Sequence, residues 1–435
     1  MRRHVPAALA LAATAAAALL PAPAAQAAPG TPAVRTVPPR QGDCARPVVG
    51  AGWYGENRAR LQELIDTYGR CTSQRPGRHR PVAVFDWDNT VVKNDVGDAT
   101  FYWLLRNGKV RRPATGDWTT TSRHLTPAAA AALSTACDAL AAPGDPLPTG
   151  TPGGTACADE LSAVYGTGAT RAGAPAFAGW NRRTTEPGYA FLAQLTQGWT
   201  AARIRSFAAA ARRENLAAPV GTTQRVGSSS VTGWVRYYDQ QTDLVRALQR
   251  AGFDVWISSA SPQPVVEVWA RGAGIAADHV IGIRNVTRHG VTTARLEGCG
   301  SVPDGADTMI TYIDGKRCWI NQEVFGVRGA AAERVQPARH RQVFAAGDSD
   351  TDVSFLRDAT ALRLVLNRNK NELMCRAYDD ADGRWLVNPM FIEPKKQRTS
   401  PYPCATTGYT APDGTPGPVR RADGSVVPDQ ADTVF

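Results

Sequence analysis

Short apolar runs rich in β-formers punctuate this chain, separated by segments with apolar residues at helical spacing. The runs fall at residues 82–85, 253–258, 279–283, 341–346 and 362–366. Each is bounded by turn residues and reads as a buried strand. Residues 292–296 read as one arm of a hairpin. Helical spacing appears at residues 56–68, where Leu61, Leu64, Ile65 and Tyr68 share a face, and at 126–140, with Thr126 as cap and Pro127 in the first turn. It recurs at 186–196, 201–215 and 265–270, and in a helix through Leu244, Val245 and Leu248 that Gly252 ends; another helix opens at 353–356. From residue 239 onward strands and helices alternate, which predicts an α/β fold with a parallel sheet covered on both faces. Residues 97–238 carry no clear strand, so they predict a mostly helical inserted unit. Its aromatic residues, Trp103, Trp118, Trp180, Tyr189, Trp199, Trp234, Tyr237 and Tyr238, read first as core. Residues 28–54, 141–154 and the tail from Thr399 are Pro- and Gly-rich and read as irregular.

Composition narrows the class. The chain has 435 residues, 43% hydrophobic, enough for one large domain with an insertion or for two domains. A formal charge of +10 favours anionic partners. No Lys/Arg block interleaves with aromatics, which argues against specific nucleic-acid binding. Arg2 and Arg3, an apolar run over residues 7–20 and Ala25-Gln26-Ala27 form the pattern of a cleaved export signal over residues 1–27. The run is short for a membrane span and is followed by Pro21 and Pro23. The mature protein is therefore expected outside the cell or in the envelope, with no membrane span. Eight cysteines without a C-x-x-C fit a disulfide set better than a metal or redox site. They fall into four sequential couples, Cys44/Cys71, Cys137/Cys157, Cys299/Cys318 and Cys375/Cys404, taken as the expected pairs among 105 possible connectivities.

The polar residues that follow the strands carry the chemistry. Asp86 and Asp88 stand directly after the first strand, within Asp86-Trp87-Asp88-Asn89-Thr90. Two acids this close repel, so each needs a cation or one keeps its proton. Ser259 follows the second strand, with Ser258 as the competing hydroxyl. Lys316 lies in a Gly315-Lys316 segment expected to be a loop, and Gly347-Asp348-Ser349-Asp350-Thr351-Asp352 follows a later strand. A parallel sheet gathers such ends at one rim. Carboxylates, a cation, a hydroxyl and backbone N–H groups suit phosphoryl transfer, and Mg²⁺ suits carboxylates shared with a phosphate oxygen.

These motifs resemble the haloacid dehalogenase (HAD) superfamily, over about residues 80–96 and 239–395. The resemblance implies a HAD-type Rossmann-like core of residues 80–96 and 239–398. It also implies a cap of residues 97–238, an N-terminal extension (28–79) with a helix, and a tail (399–435). It implies that Asp86 is the nucleophile, that Asp88 is the acid/base, and that Lys316 offsets charge on nucleophile and phosphate. Thr90, Ser259, Ala260 and Lys316 are expected to bind substrate phosphate. Asp86, Asp348, Asp352 and Asp88, the last through its carbonyl, are expected to hold Mg²⁺. An acid at Asp88 suits an alkoxide leaving group rather than a halide. The expected function is therefore a secreted Mg²⁺-dependent phosphomonoesterase acting on a small phosphorylated substrate through an aspartyl phosphate. The insertion resembles the cap of the phosphoserine-phosphatase-like branch. Asp-x-Asp-Asn-Thr, Ser259-Ala-Ser and the run from His279 are similar to exported phosphorylcholine phosphatases, where cap aromatics would enclose an ammonium. A phosphotransferase and a non-catalytic binding protein on the same fold are the alternatives.

Overall fold

A computed structural model describes residues 49–70 and 80–435. The export signal, the Cys44/Cys71 couple and the basic approach to the first strand lie outside the described residues, apart from Arg80. Six parallel strands form the central sheet: β1 (Val82–Phe85), β2 (Asp254–Pro262), β3 (Val280–Ile283), β4 (Phe344–Gly347), β5 (Leu362–Asn367) and β6 (Trp385–Pro389). Their spatial order is β6-β5-β4-β1-β2-β3. β1 is thus central, pairing with β4 through Ala83–Phe344 and Phe85–Ala346, and with β2 through Val82–Asp254 and Phe85–Ile257. The order reverses at β1, and ligand crevices in open α/β sheets form at such a point.

Both faces of the sheet are covered, which is why the strands are continuously apolar rather than alternating. Ala83 and Phe85 point into one core with Leu61, Ile65, Leu244, Leu248 and Trp269. Those residues come from helices α1 (Asn57–Tyr68), α7 (Asp239–Arg250) and α8 (Gln263–Ala270). Val82 and Val84 point into the other core, with Trp319, Phe355 and Met374. These come from α9 (Asp314–Glu323), α10 (Val353–Asp358) and α11 (Asn371–Asp379).

The inserted unit is built from α2 (Val96–Arg106), α3 (Pro127–Cys137), α4 (Thr155–Thr167), α5 (Pro187–Gln194) and α6 (Ala201–Ala217). They enclose a separate apolar cluster containing Phe101, Trp118, Leu161, Phe191 and Phe207. Thr126 caps α3 through its hydroxyl, as its position before Pro127 predicts. The unit also holds an antiparallel hairpin, Thr223–Val226 with Ser229–Thr232, which the sequence reading left out. Its strands are mostly exposed, so they lack the alternation that marks a half-buried strand. The disulfides described are Cys137–Cys157, Cys299–Cys318 and Cys375–Cys404, three of the four expected couples. They staple α3 to α4, anchor α9 and tie the tail to α11. Among the described residues no helix is long and apolar enough to cross a membrane.

Candidate active site

The chain leaves β1 and turns sharply. Asn89 takes φ +61°, a left-handed conformation that Asn tolerates better than most residues. Thr90 is thereby folded back beneath Asp86. Its hydroxyl lies 3.0 Å from Asp86 Oδ2 and 3.0 Å from Asp348 Oδ1, joining the ends of β1 and β4. Asp348 follows β4 directly. Asp352 turns back in the same segment, and its Oδ2 accepts the Asp348 and Ser349 backbone N–H groups at 3.0 and 3.1 Å. A Cβ at Gly347 would stand 2.7 Å from that carboxylate, so only glycine leaves room.

Lys316 is not in a loop. It occupies the first turn of α9, which Ile313, at φ +43°, introduces. That conformation is strained for a β-branched residue and is held by backbone bonds from Ile313 to Thr351 and from Asp314 to Arg183. The turn aims Lys316 inward. Its Nζ lies 2.7 Å from Asp86 Oδ1 and 2.6 Å from Asp352 Oδ1, and the side chain is fully buried. Burial opposes its charge, yet Asp352 and Asp86 outweigh burial and hold the ammonium above its ordinary range. Oxygens of Asp86, Asp348 and Asp352 all lie within 4.8 Å of one another, a buried all-oxygen set that suits a hard divalent cation.

Ser259 differs from its expected setting. It lies within β2, which runs on to Pro262 through a register shift against β3 rather than ending before it. Ser259 Oγ lies 3.3 Å and Ser261 Oγ 2.9 Å from Asp88 Oδ2, and the Ser261 N–H donates to Ser259 Oγ. Ser258 Oγ is buried without a hydrogen-bond partner. Ala260 and Ser261 line the inner cleft beside Asp86 and Asp88. The Val96 N–H donates to Asp88 Oδ1 at 2.7 Å. The Asp88 carboxylate is turned toward these groups and is not part of the three-acid cluster.

Burial pushes the Asp86 carboxyl up to about 6, with Lys316 pulling it down and Asp348 pushing it up. Asp88 is raised well above the carboxylate range by burial, then by Asp95 and Asp86. Asp352 is raised by burial as well.

Above the cleft lies a larger cavity of about 600 Å³, roofed by the inserted unit. Asp95, Asp98, Glu186, Tyr102, Tyr165, Tyr189, Trp234 and Arg368 are among its lining residues. Asp95 caps α2 by accepting the Asp98 N–H, and the Tyr165 hydroxyl donates to Asp98 at 2.7 Å. Burial and Asp98 push Asp95 up to about 7. Burial pushes Asp98 up to about 6, against the Tyr165 hydrogen bond. Of the aromatics singled out from the sequence, Tyr189 and Trp234 line this cavity. Asp95, Asp98 and Arg368 escaped the sequence reading. The only signal for Arg368 is its place directly after the β5 run.

Residues 166–357 match the family model of haloacid dehalogenase-like hydrolases, which covers β2 to β4 but not β1. No curated protein matches the chain. A conserved protein of unknown function from Anaerococcus prevotii DSM 20548 is similar in structure, with TM-score 0.53 and 18% identity over 78% of this chain and 92% of that one. This likeness is one of fold. A protein of unknown function from Bordetella pertussis Tohama I gives TM-score 0.41 and 19% identity, over 72% of this chain and 99% of that one. A substrate-bound phosphoserine phosphatase gives 0.29 and 10%, over 66% and 87%.

Proposed function

We propose that this chain, whose residues 166–357 match the haloacid dehalogenase-like hydrolase model, is an exported phosphatase of that kind that cleaves a small phosphate monoester through an aspartyl phosphate on Asp86. One observation carries the reading. Lys316, wholly buried, is shared between Asp86 and Asp352, while Thr90 joins Asp86 to Asp348. Three separated segments meet at one point, and neither a structural ion pair nor a core needs that arrangement. A buried pair flanked by further unneutralised carboxylates is costly unless a cation or substrate is served there.

In this reading Asp86 attacks phosphorus and the ester oxygen departs with a proton from Asp88. Asp88 then takes a proton from water as that water attacks the aspartyl phosphate, which releases inorganic phosphate and restores Asp86. The raised affinity of Asp88 for its proton supports the acid role. Ala260 and Ser261, which line the inner cleft, would receive phosphate oxygens, with Ser259 buried behind them and bonded to Asp88. Mg²⁺ bound by Asp86, Asp348 and Asp352, with the Asp88 carbonyl, would offset negative charge on nucleophile and phosphate. Disulfide staples on cap, core and tail support the expected export.

A narrower second reading is favoured by the lining of the larger cavity. Asp95, Asp98 and Glu186 stand with Tyr102, Tyr165, Tyr189 and Trp234 on a lining that also carries Lys93, Arg368 and Lys395, and its acids and aromatic faces suit a cationic alcohol as leaving group, as in choline phosphate. The test is a panel of phosphate esters given to the mature protein, with and without Mg²⁺ and with added glycerol. Mg²⁺-dependent release of phosphate, greatest for cationic alkyl esters, is expected. Glycerol phosphate as the main product would make it a phosphotransferase. Binding of esters without turnover would make it a binding protein.

A further inference from the structure

Arg368 has no part in the roles assigned so far. It follows β5, the neighbour of the strand that carries Asp348, and one of its guanidinium N–H groups donates to Asp348 Oδ2. Its side chain is 27% exposed and lines both the inner cleft and the larger cavity. It therefore stands at the neck where a phosphate would pass into an alcohol. Around the inner cleft the described lining residues include four carboxylates, Asp86, Asp88, Asp95 and Asp348, and among the described residues Arg368 is the one cationic side chain on that lining. Lys316 lies deeper, its ammonium already shared by Asp86 and Asp352. A phosphate dianion entering here meets several carboxyl groups and one guanidinium.

We propose that Arg368 is the phosphate-binding cation of this cleft, its planar fork donating to the non-bridging oxygens of the phosphate while one N–H stays on Asp348. This rests on the phosphatase reading above. A guanidinium suits the task because it gives parallel N–H donors at the spacing of two phosphate oxygens and keeps its charge when partly buried. Anchoring on Asp348 fixes the fork against the rim that carries the other acids, so little freedom is left to lose when phosphate arrives. The rival is that Arg368 merely orients Asp348 as a metal ligand.

The two separate by titrating purified full-length mature protein with inorganic phosphate and, in a second titration, with Mg²⁺ alone. Arg368→Ala is expected to weaken phosphate binding by about tenfold or more, with Arg368→Lys falling between. Both should bind Mg²⁺ as the wild type does, and KM should rise more than kcat falls. Unchanged phosphate affinity in both variants overturns the proposal. So does a loss of Mg²⁺ affinity as large as the loss of phosphate affinity, which marks an orienting role. Arg368→Lys decides the matter if the alanine variant does not fold. Wild-type protein that binds phosphate through Arg368 yet turns over no ester leaves this proposal standing and removes the phosphatase reading.

Discussion

The inner cleft and the larger cavity above it share Asp95, Tyr165, Tyr189 and Arg368, but they are built from different parts. The cleft takes most of its ionisable groups from the ends of parallel strands and the first turn of α9, fixed by the register of the sheet. There the polar groups are tied to named partners: Lys316 to two acids, Thr90 to two acids, Asp352 to two backbone N–H groups. The cavity draws on α2, α4, α5, the stretch after the exposed hairpin and the loop beyond β6. Its lining couples protonatable acids to tyrosines. The contrast teaches a division of labour. On the proposed reading, reaction chemistry goes to the rim of the sheet and choice of alcohol to a surface made by the inserted helices.

Substitutions in the cleft should break that division most severely. Asp86→Asn should remove turnover of an aryl phosphate, by about 10³-fold or more, while the protein still folds and melts in a cooperative transition. Assay and calorimetry on the same sample check both halves. Lys316→Met should cost about 3–5 kcal/mol, since it leaves Asp86 and Asp352 facing each other without their cation; denaturant unfolding measures this. Asp88→Asn should slow alkyl esters by about 10²–10⁴-fold and aryl esters with good leaving groups far less. Equal losses on both would remove Asp88 from the acid role. In the cavity, Asp98→Asn and Tyr189→Ala should change the ranking of substrates through KM while leaving Mg²⁺ binding alone.

The smallest effect lies away from both sites. His279 joins Asp254 and Asp278 at 3.0 and 2.8 Å and packs at a tilt against Trp256, where the Asp254 hydrogen bond raises its pKa despite partial burial. A raised basic group stabilises fully below its unfolded value, about 6.5, and loses that contribution as pH climbs through the folded value. Asp254, held low chiefly by the same hydrogen bond, contributes above its unfolded value and loses this on acidification. His279→Asn should therefore lower Tm by about 1–2 °C near pH 5.5 and by less near pH 8.5. An equal drop at both pH values would exclude titration of this imidazole.

The same contrast explains what could be read from the sequence. Asp86, Asp88, Asp348 and Asp352 were legible because each pair is contiguous and follows a strongly apolar strand. Lys316 was found by type but placed in a loop, since nothing in Ile313-Asp314-Gly315 announces a helix opened by a left-handed isoleucine. Ser259 was placed beyond its strand because the apolar run gives way to Ser258-Ser259-Ala260-Ser261. The strand instead continues through a shifted register, and Ser261 joins the site. Asp95, Asp98 and Arg368 were hidden because each is a single residue whose meaning comes from tertiary approach. The hairpin after α6 was hidden because its strands are short and mostly polar, with only Val226 and Val231 turned to the apolar cluster of the inserted unit.

The most direct test of the central claim is chemical trapping of the phosphorylated carboxyl. Mature protein turning over an aryl phosphate with Mg²⁺ is quenched with borohydride, and the peptides are mapped by mass. The account predicts reduction at Asp86 in the wild type and none in Asp86→Asn. Full turnover with no label at Asp86, or with the label on another residue, would contradict it.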